Sequence, residues 1–485
     1  MNMPRDRSTV PCTLLKDILD KGSIGVILRL FLENTTLIDN RDFYRQMAVI
    51  GVPIMIQQLI LVAVGICDTI MVGKISEEAL AAVGAANQVF IVYIDCVFGF
   101  LSGVAVFSVQ YWGIKDLKAL RNLLGIAYSM CIGFGIPVTI IGYFFAPQLV
   151  AIFSDDETVI ALGAEYLRIV VFTYMVTALT FVISYNSRAV AMLKLPTIAN
   201  AIAVGLNIFF NWVFIFGKLG APAMGVTGAA LATTISRFLE AIITFSYVYI
   251  FSKDHPLKAK LREMMYPAEL YKRVMRTALP VIMNELLWVL SFTTTFAIYG
   301  DLGPAALAVV QIAMTVTDAF QAIFAGIGNG AGVIIGQELG RGYRESAYTL
   351  ARKSIKIIWI FIAVSTLLLI VSRGFIVNIY DFEESTNRLI MITLLVYAIS
   401  IAPKMLAYFF ICGIFRPGGD TTWCAVVDSG LNWLVQVPLA YLGVHFLHWE
   451  IWAVIALVAM GEVIKTIVCY FRFYSKKWIN VVTGR

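Results

Sequence analysis

Charge is what this chain has least of: Lys, Arg, Asp and Glu together make up 14% of its 485 residues, and histidine occurs only three times. With 60% hydrophobic residues and a mean hydropathy of +0.83, that scarcity excludes a soluble globular protein and leaves an integral membrane protein. Catalytic and nucleotide signatures are missing too. There is no GxxxxGK[ST], no HExxH and no GxSxG, so ATP-driven pumping and common hydrolase chemistry have no support and no cofactor is expected. No CxxC spacing occurs, and six of the seven cysteines (Cys67, Cys96, Cys131, Cys412, Cys424, Cys469) lie in apolar runs, so they read as packing residues. His445 and His448 share a loop without a third ligand and carry little weight as a metal site. The first thirty residues lack the compact apolar core of a secretory signal, and the chain is expected to insert through its first span.

What is present is a series of apolar runs, each long enough to cross about 30 Å of hydrocarbon as a helix. Ten-residue alternating strands are absent, which favours a helical bundle over a β-barrel. The runs fall near 47–72, 79–111, 120–147, 158–190, 195–217 and 222–251, then 277–300, 304–338, 346–372, 388–415, 420–444 and 449–474. Connections alternate between a basic set, including Lys115, Arg188, Arg341 and Arg416, and a set poor in Lys and Arg that holds Glu77, Asp155 and Asp301. The positive-inside rule then puts both termini in the cytoplasm of a multi-pass plasma-membrane protein, which needs an even number of spans. The net charge of +6 reflects that placement and implies no nucleic-acid partner. The expected division is a tail at 1–46, a first lobe at 47–251, a linker at 252–276, a second lobe at 277–474 and a tail at 475–485.

The two halves repeat each other. Pro53 and Pro280, Gly73 and Gly300, Gly103 and Gly330, Gln110 and Gln337, and Gly113 and Gly340 are each 227 apart, and Gly205-Leu206-Asn207 matches Gly430-Leu431-Asn432 at an offset of 225. Six spans per half bring both copies in from the same side, related by an axis along the membrane normal, as in transporters. The glycines of 325–336 match Gly99 and Gly103, so close helix packing explains them better than nucleotide binding. Pro53 and Pro280, at matched positions, are expected to be bend points or static kinks.

The stretch Gly51–Gly73 carries one acid, Asp68, within a span. A charge near the bilayer centre costs about 2.5–3.5 kcal/mol on insertion scales, so such acids face a cavity, a partner or a transported ion. Capping of the helix toward its outer end is the structural alternative. Asn207 and Asn211 are spaced i,i+4 and share a face; either an Na⁺ seat beside an aspartate or interhelical hydrogen bonding uses such a pair. Arg237 with Glu240, and Glu462 with Lys465, are spaced i,i+3 and can neutralise each other. Asp95, Asp318, Lys404 and Asp428 are further charges inside spans. Glu285 takes the repeat position of Gln58, and Asp68 that of Thr295, so the halves keep their acids in different places.

The stretches PIMIQQL from Pro53, DTIMVG from Asp68, LNIFFNW from Leu206, GAPAMGVTGAALATTISR from Gly220 and FRPGGDT from Phe415 resemble the MATE family, the multidrug and toxic compound extrusion transporters, over about positions 45 to 480. ALPVIMNELLW from Ala278 is similar to a branch common in Gram-positive bacteria. The resemblance implies an all-α membrane protein of about twelve spans in two pseudo-symmetric six-helix lobes around a V-shaped cleft. It implies a monomeric antiporter that takes H⁺ or Na⁺ inward and expels small organic cations or drugs by alternating access. It makes Asp68 the ion-coupling carboxylate, Asn207, Asn211 and Thr233 its neighbours, and Asp68 with Asn207 the Na⁺ ligands. Relatives that bind the ion in the second lobe carry acids where this chain has Trp288 and Met405 beside Lys404, so the ion belongs to the first lobe. Gln58, Glu285, Trp288 and Lys404 are the candidates for the substrate cleft. A lipid-linked precursor flippase of a related fold is the rival, with a membrane enzyme or receptor further off. The first forty residues, with LLKDILDKGSIGVILRLFL and a glycosylation sequon at Asn34-Thr35-Thr36, read as an amphipathic segment on the cytoplasmic surface.

Overall fold

A computed structural model describes residues 40–377 and 384–483. The expected amphipathic segment, the sequon, Cys12 and the acids Asp381 and Glu383 lie outside the described residues. Contacts divide the chain into a unit ending at Tyr44 and a unit from Arg45 onward, and all that follows concerns the second.

Twelve helices make up that unit, the first of them beginning just before it. They are α1 (Asn40–Gly73), α2 (Glu77–Gly113), α3 (Leu117–Phe144), α4 (Glu157–Ala189), α5 (Lys194–Phe216), α6 (Gly225–Ser246), α7 (Ala268–Gly300), α8 (Pro304–Gly340), α9 (Arg344–Val377), α10 (Glu384–Tyr408), α11 (Thr421–Leu431) and α12 (Ile451–Tyr474). A five-residue helix, Ala146–Val150, follows α3. No strand occurs among the described residues. In hydrocarbon each backbone N–H and C=O must find an internal partner, and continuous helices provide it. Their first turns are held by side chains: Ser76 accepts from the N–H of Ala79, Asp116 from that of Ala119, and Asp156 from those of Thr158 and Val159.

Among the described residues, eleven helices are long and apolar enough to span a membrane. The expected twelfth span, near 420–444, is α11 with its continuation. Beyond Leu431 the chain stays helical to Phe446, but in wide turns at Asn432–Gln436 and Leu442–Phe446. The spans at Gly225–Phe251 and Glu384–Phe415 contain such turns too, so what sets this stretch apart is the polarity of Asp428, Asn432 and Gln436. Wide turns also extend α6, at Tyr247–Phe251, and α10, at Phe409–Phe415. Such turns recur at functional sites. Pro53 and Pro280 sit inside α1 and α7.

The repeat is visible in the packing between halves. On α2, a Cβ at Gly103 meets the backbone of Ala278 on α7, and one at Gly99 meets that of Ile282. On α8, a Cβ at Gly330 meets Met47 and Gly51 on α1, and one at Gly326 meets Gly51 and Met55. Each contact maps onto its partner at the offset of 227. The pair Gly113 against Gln337, and Gly340 against Gln110, obeys the same rule. The second helix of each half is therefore pressed against the first helix of the other through small residues.

Helix α7 begins at Ala268, inside the stretch 252–276 that precedes the second run of spans. A short turn at Leu261–Met264 packs on α3, with the Met264 carbonyl against Gly125. Arg121 pairs with Glu263 at 2.8 Å. His255 is buried and accepts the N–H of Leu257 on Nδ1. Burial holds its imidazole below the ordinary value of 6.5.

Two outcomes are expected. Gly103→Val forces a side chain into the α7 backbone and destabilises the protein by about 1–3 kcal/mol or more. Gly205→Ala, where nothing lies within 4 Å of the new Cβ, does not; thermal unfolding in detergent distinguishes them. For the linker, the unfolded imidazole binds protons more readily than the folded one, so stability is lost as pH falls below about 6.5. Proteolysis at 252–267 accelerates over that range, and His255→Gln flattens the pH dependence.

Candidate functional site

In the first lobe, α1, α5 and α6 bring together all four residues expected to couple the ion. Asn211 Nδ2 donates to Asp68 Oδ1 at 2.6 Å and lies 3.4 Å from Asn207 Oδ1, and Asn207 Nδ2 lies 3.4 Å from Thr233 Oγ1. The i,i+4 spacing on α5 makes this possible, since it aims both amides at α1 and α6. Asn207 and Asn211 are buried and Asp68 is half-buried. Among the described residues Asn211 Oδ1 accepts no hydrogen bond. A buried amide oxygen without a donor is a costly feature in hydrocarbon unless something electropositive meets it. Two more side chains, not expected from sequence, complete the surroundings. Tyr166 on α4 lies beside Thr233 and within electrostatic reach of Asp68. Arg237, one turn along α6 from Thr233, lies within electrostatic reach of Asp68 while pairing with Glu240 at 2.8 Å. Asn200 Nδ2 donates to the other oxygen of Glu240 at 3.3 Å.

In the second lobe, the counterparts of Asn207 and Asn211 at the offset of 225 are Asn432 and Gln436. The counterparts of Arg237 and Glu240 are Glu462 and Lys465, so the charged pair is reversed. Lys465 Nζ meets Asp428 Oδ1 at 2.8 Å, Asn432 Oδ1 at 2.9 Å and Glu462 Oε1 at 3.1 Å. Asn284 Nδ2 donates to Asp428 Oδ2 at 3.1 Å and accepts from Ser429 Oγ, while Gln436 Nε2 donates to Glu462. The lysine has three donors and three oxygens to receive them.

The four cleft candidates separate. Trp288 and Lys404 line a cavity of about 480 Å³ in the second lobe, together with Phe292, Tyr397, Asp318 and Glu462. The ring of Trp288 stacks on Phe292, with centroids 5.7 Å apart. Lys404 lies within electrostatic reach of Asp318 and Glu462. This volume is that of a small-molecule site. Glu285 is not on the wall; it is buried against Arg416, whose Nη2 donates to Oε1 at 2.6 Å. Arg416 stands at the end of the wide turn that extends α10, and Asp95 on α2 lies within electrostatic reach of Glu285 from the other half. Gln58 is half-buried and does not line that cavity; its neighbour Gln57 donates to Thr197 at 3.0 Å. Arg416 carried no site role in the sequence reading, because its partner stands 131 residues away.

The halves are hydrogen-bonded to each other at the end that carries Lys115 and Arg341. Gln110 donates to the carbonyls of Pro417 and Asn480, and Gln337 to that of Ala189. Arg416→Ala leaves Glu285 buried without a partner and is expected to cost about 3–5 kcal/mol. Glu285→Gln with Arg416→Met removes both charges and recovers most of that loss, read as the melting temperature of each purified variant.

Comparison with known proteins places the chain among relatives. The MatE family model matches residues 53–213 and again 280–442, the same duplication seen in the sequence and in the packing. The chain is 24% identical over 416 residues to the probable multidrug resistance protein YoeA of Bacillus subtilis (strain 168), covering 84% of this chain and 88% of that one. It is 26% identical over 420 residues to the probable multidrug resistance protein NorM of Thermotoga maritima, covering 84% and 86%. Among solved structures, the outward-facing conformation of a multidrug resistance MATE family transporter of the MOP superfamily superposes with a TM-score of 0.81 at 19% identity, over 89% of this chain and 96% of that chain. That likeness supports the two-lobed fold.

Proposed function

This chain belongs to the MatE family of membrane transporters, and from that premise we propose that it is a secondary active efflux antiporter, exchanging H⁺ or Na⁺ for small organic cations by alternating access. It is a transporter and not an enzyme. The observation that carries the ion-coupling reading is the array of Asp68, Asn207, Asn211 and Thr233 across three helices, with the oxygen of Asn211 left without a donor. Carboxylate, amide and hydroxyl oxygens form a hard-donor set suited to Na⁺. A proton on Asp68 would serve the same electrostatic end, because the site is removed from water and an uncompensated carboxylate there is costly.

The substrate reading rests on charge and shape. Asp95 and Glu285, from different halves, lie within electrostatic reach of each other, and the aromatic cavity beside Trp288 suits a flat organic molecule. Lys404 in that wall opposes a purely cationic preference and favours cargo that also carries an acceptor. By the positive-inside rule the hydrogen-bonded end of the two halves is cytoplasmic, as are both chain ends, which supports an outward-open arrangement in the plasma membrane. The first lobe is 47–251 and the second 277–474, working within one monomer. Moving one net charge inward supplies about 2.3 kcal/mol per 100 mV, enough for roughly 50-fold accumulation.

Reconstituted vesicles with separately imposed pH and Na⁺ gradients test the proposal. One of the two gradients drives efflux of a fluorescent cation, and Asp68→Asn abolishes that coupling while the protein still folds. Gradient-driven efflux at the normal rate in the folded variant would remove Asp68 from the mechanism.

A further inference from the structure

The reversed pair in the second lobe points to a role for Lys465. Its Nζ sits among three oxygens, of Asp428, Asn432 and Glu462, at 2.8–3.1 Å. One of these, Asn432, is the repeat counterpart of Asn207, the amide beside Asp68 in the first lobe. At the offset of 225 Lys465 falls opposite Glu240 and Asp428 opposite Ala203, so the second lobe has an acid where the first has an alanine and an ammonium where the first has a carboxylate. The surrounding oxygens are held in place independently of the lysine, by Asn284 on Asp428 and by Gln436 on Glu462. Asn432 and Glu462 also line the 480 Å³ cavity, which gives small ions a route to the cage.

We propose that the Lys465 ammonium is a tethered cation, filling in the second lobe the kind of oxygen seat that a mobile ion occupies in the first, so that removing it uncovers an Na⁺ site formed by Asp428, Asn432 and Glu462. The comparison rests on the first-lobe ion reading; the cage itself does not. Two carboxylates and an amide oxygen are the donors a hard monovalent cation takes. Without the ammonium they face one another across a buried space, where uncompensated charge is strongly disfavoured. The tether makes the second lobe blind to the ion gradient and restricts coupling to the first-lobe seat. Lysine has the compact charge and three donors that this replacement requires.

The test is equilibrium binding of radioactive Na⁺ to purified full-length protein. In an Asp68→Asn background, which removes the first-lobe carboxylate, adding Lys465→Ala is expected to add about one Na⁺ per chain, the occupancy of a single oxygen seat. Na⁺ also raises the melting temperature of that variant, while choline at equal ionic strength does not. Lys404 lies within electrostatic reach of Glu462 and Lys465, so the variant is also made with Lys404→Met to prevent the second lysine from standing in. Lys465→Gln, which keeps polar contacts without charge, provides a milder version. A variant that folds only when Na⁺ or methylammonium is supplied supports the proposal. Folded variants that bind no additional Na⁺ overturn it, as do variants that no cation rescues. Should Asp68→Asn and the parent protein bind Na⁺ equally, the Na⁺ form of the first-lobe reading fails and its proton form is left, while the contrast made by Lys465 still decides this one.

Discussion

A polar group inside a bilayer has to be answered by another polar group, and the two lobes meet that demand in opposite ways. In the second lobe every donor of Lys465 has an oxygen, and both carboxylates that receive it are themselves braced. In the first lobe the corresponding space holds a carboxylate, two amides and a hydroxyl, with the oxygen of Asn211 lacking a donor. Saturation favours rigidity; a deficit favours exchange with something mobile. One scaffold, duplicated, thus contains a settled polar core and an unsettled one.

That asymmetry depends on very small sequence differences. At the offset of 225, Arg237 and Glu240 fall opposite Glu462 and Lys465, so the order of charges is reversed. In α6 the pair closes on itself near Asp68. In α12 the lysine instead turns inward to α11, where Asp428 waits at a position that is alanine in the first half. The wide turn beginning at Asn432 coincides with this contact, as the one ending at Phe415 coincides with Arg416 and its grip on Glu285.

Much of the fold was legible in the sequence because hydrophobic length and a constant register of Pro, Gly and Gln are properties of the chain itself. The Asp68 array was legible mainly through the family resemblance, which grouped Asp68, Asn207, Asn211 and Thr233, while the i,i+4 spacing by itself placed only the two amides on one helix face. The remainder depended on which helices become neighbours. Glu285 looked like a cleft residue until its partner, 131 positions later, was seen beside it. Glu462 and Lys465 do neutralise each other, at 3.1 Å, but spacing along one helix says nothing of Asp428 and Asn432 on another. Span counting had its own limit, since α11 carries the polar residues that its site needs and so does not look uniformly apolar.

The seam between the halves has a consequence for how the two copies can change. Where Gly103 gives room to Ala278, Gly330 gives the same room to Gly51, and Gln110 and Gln337 exchange places against Gly340 and Gly113. Bulk gained by one copy at these points has to be surrendered by the other, because each backbone occupies the hollow its sister leaves. Inheritance at the seam is therefore joint, while the lobe interiors, which touch no such counterpart, are free to diverge, as the arrays around Asp68 and Lys465 have.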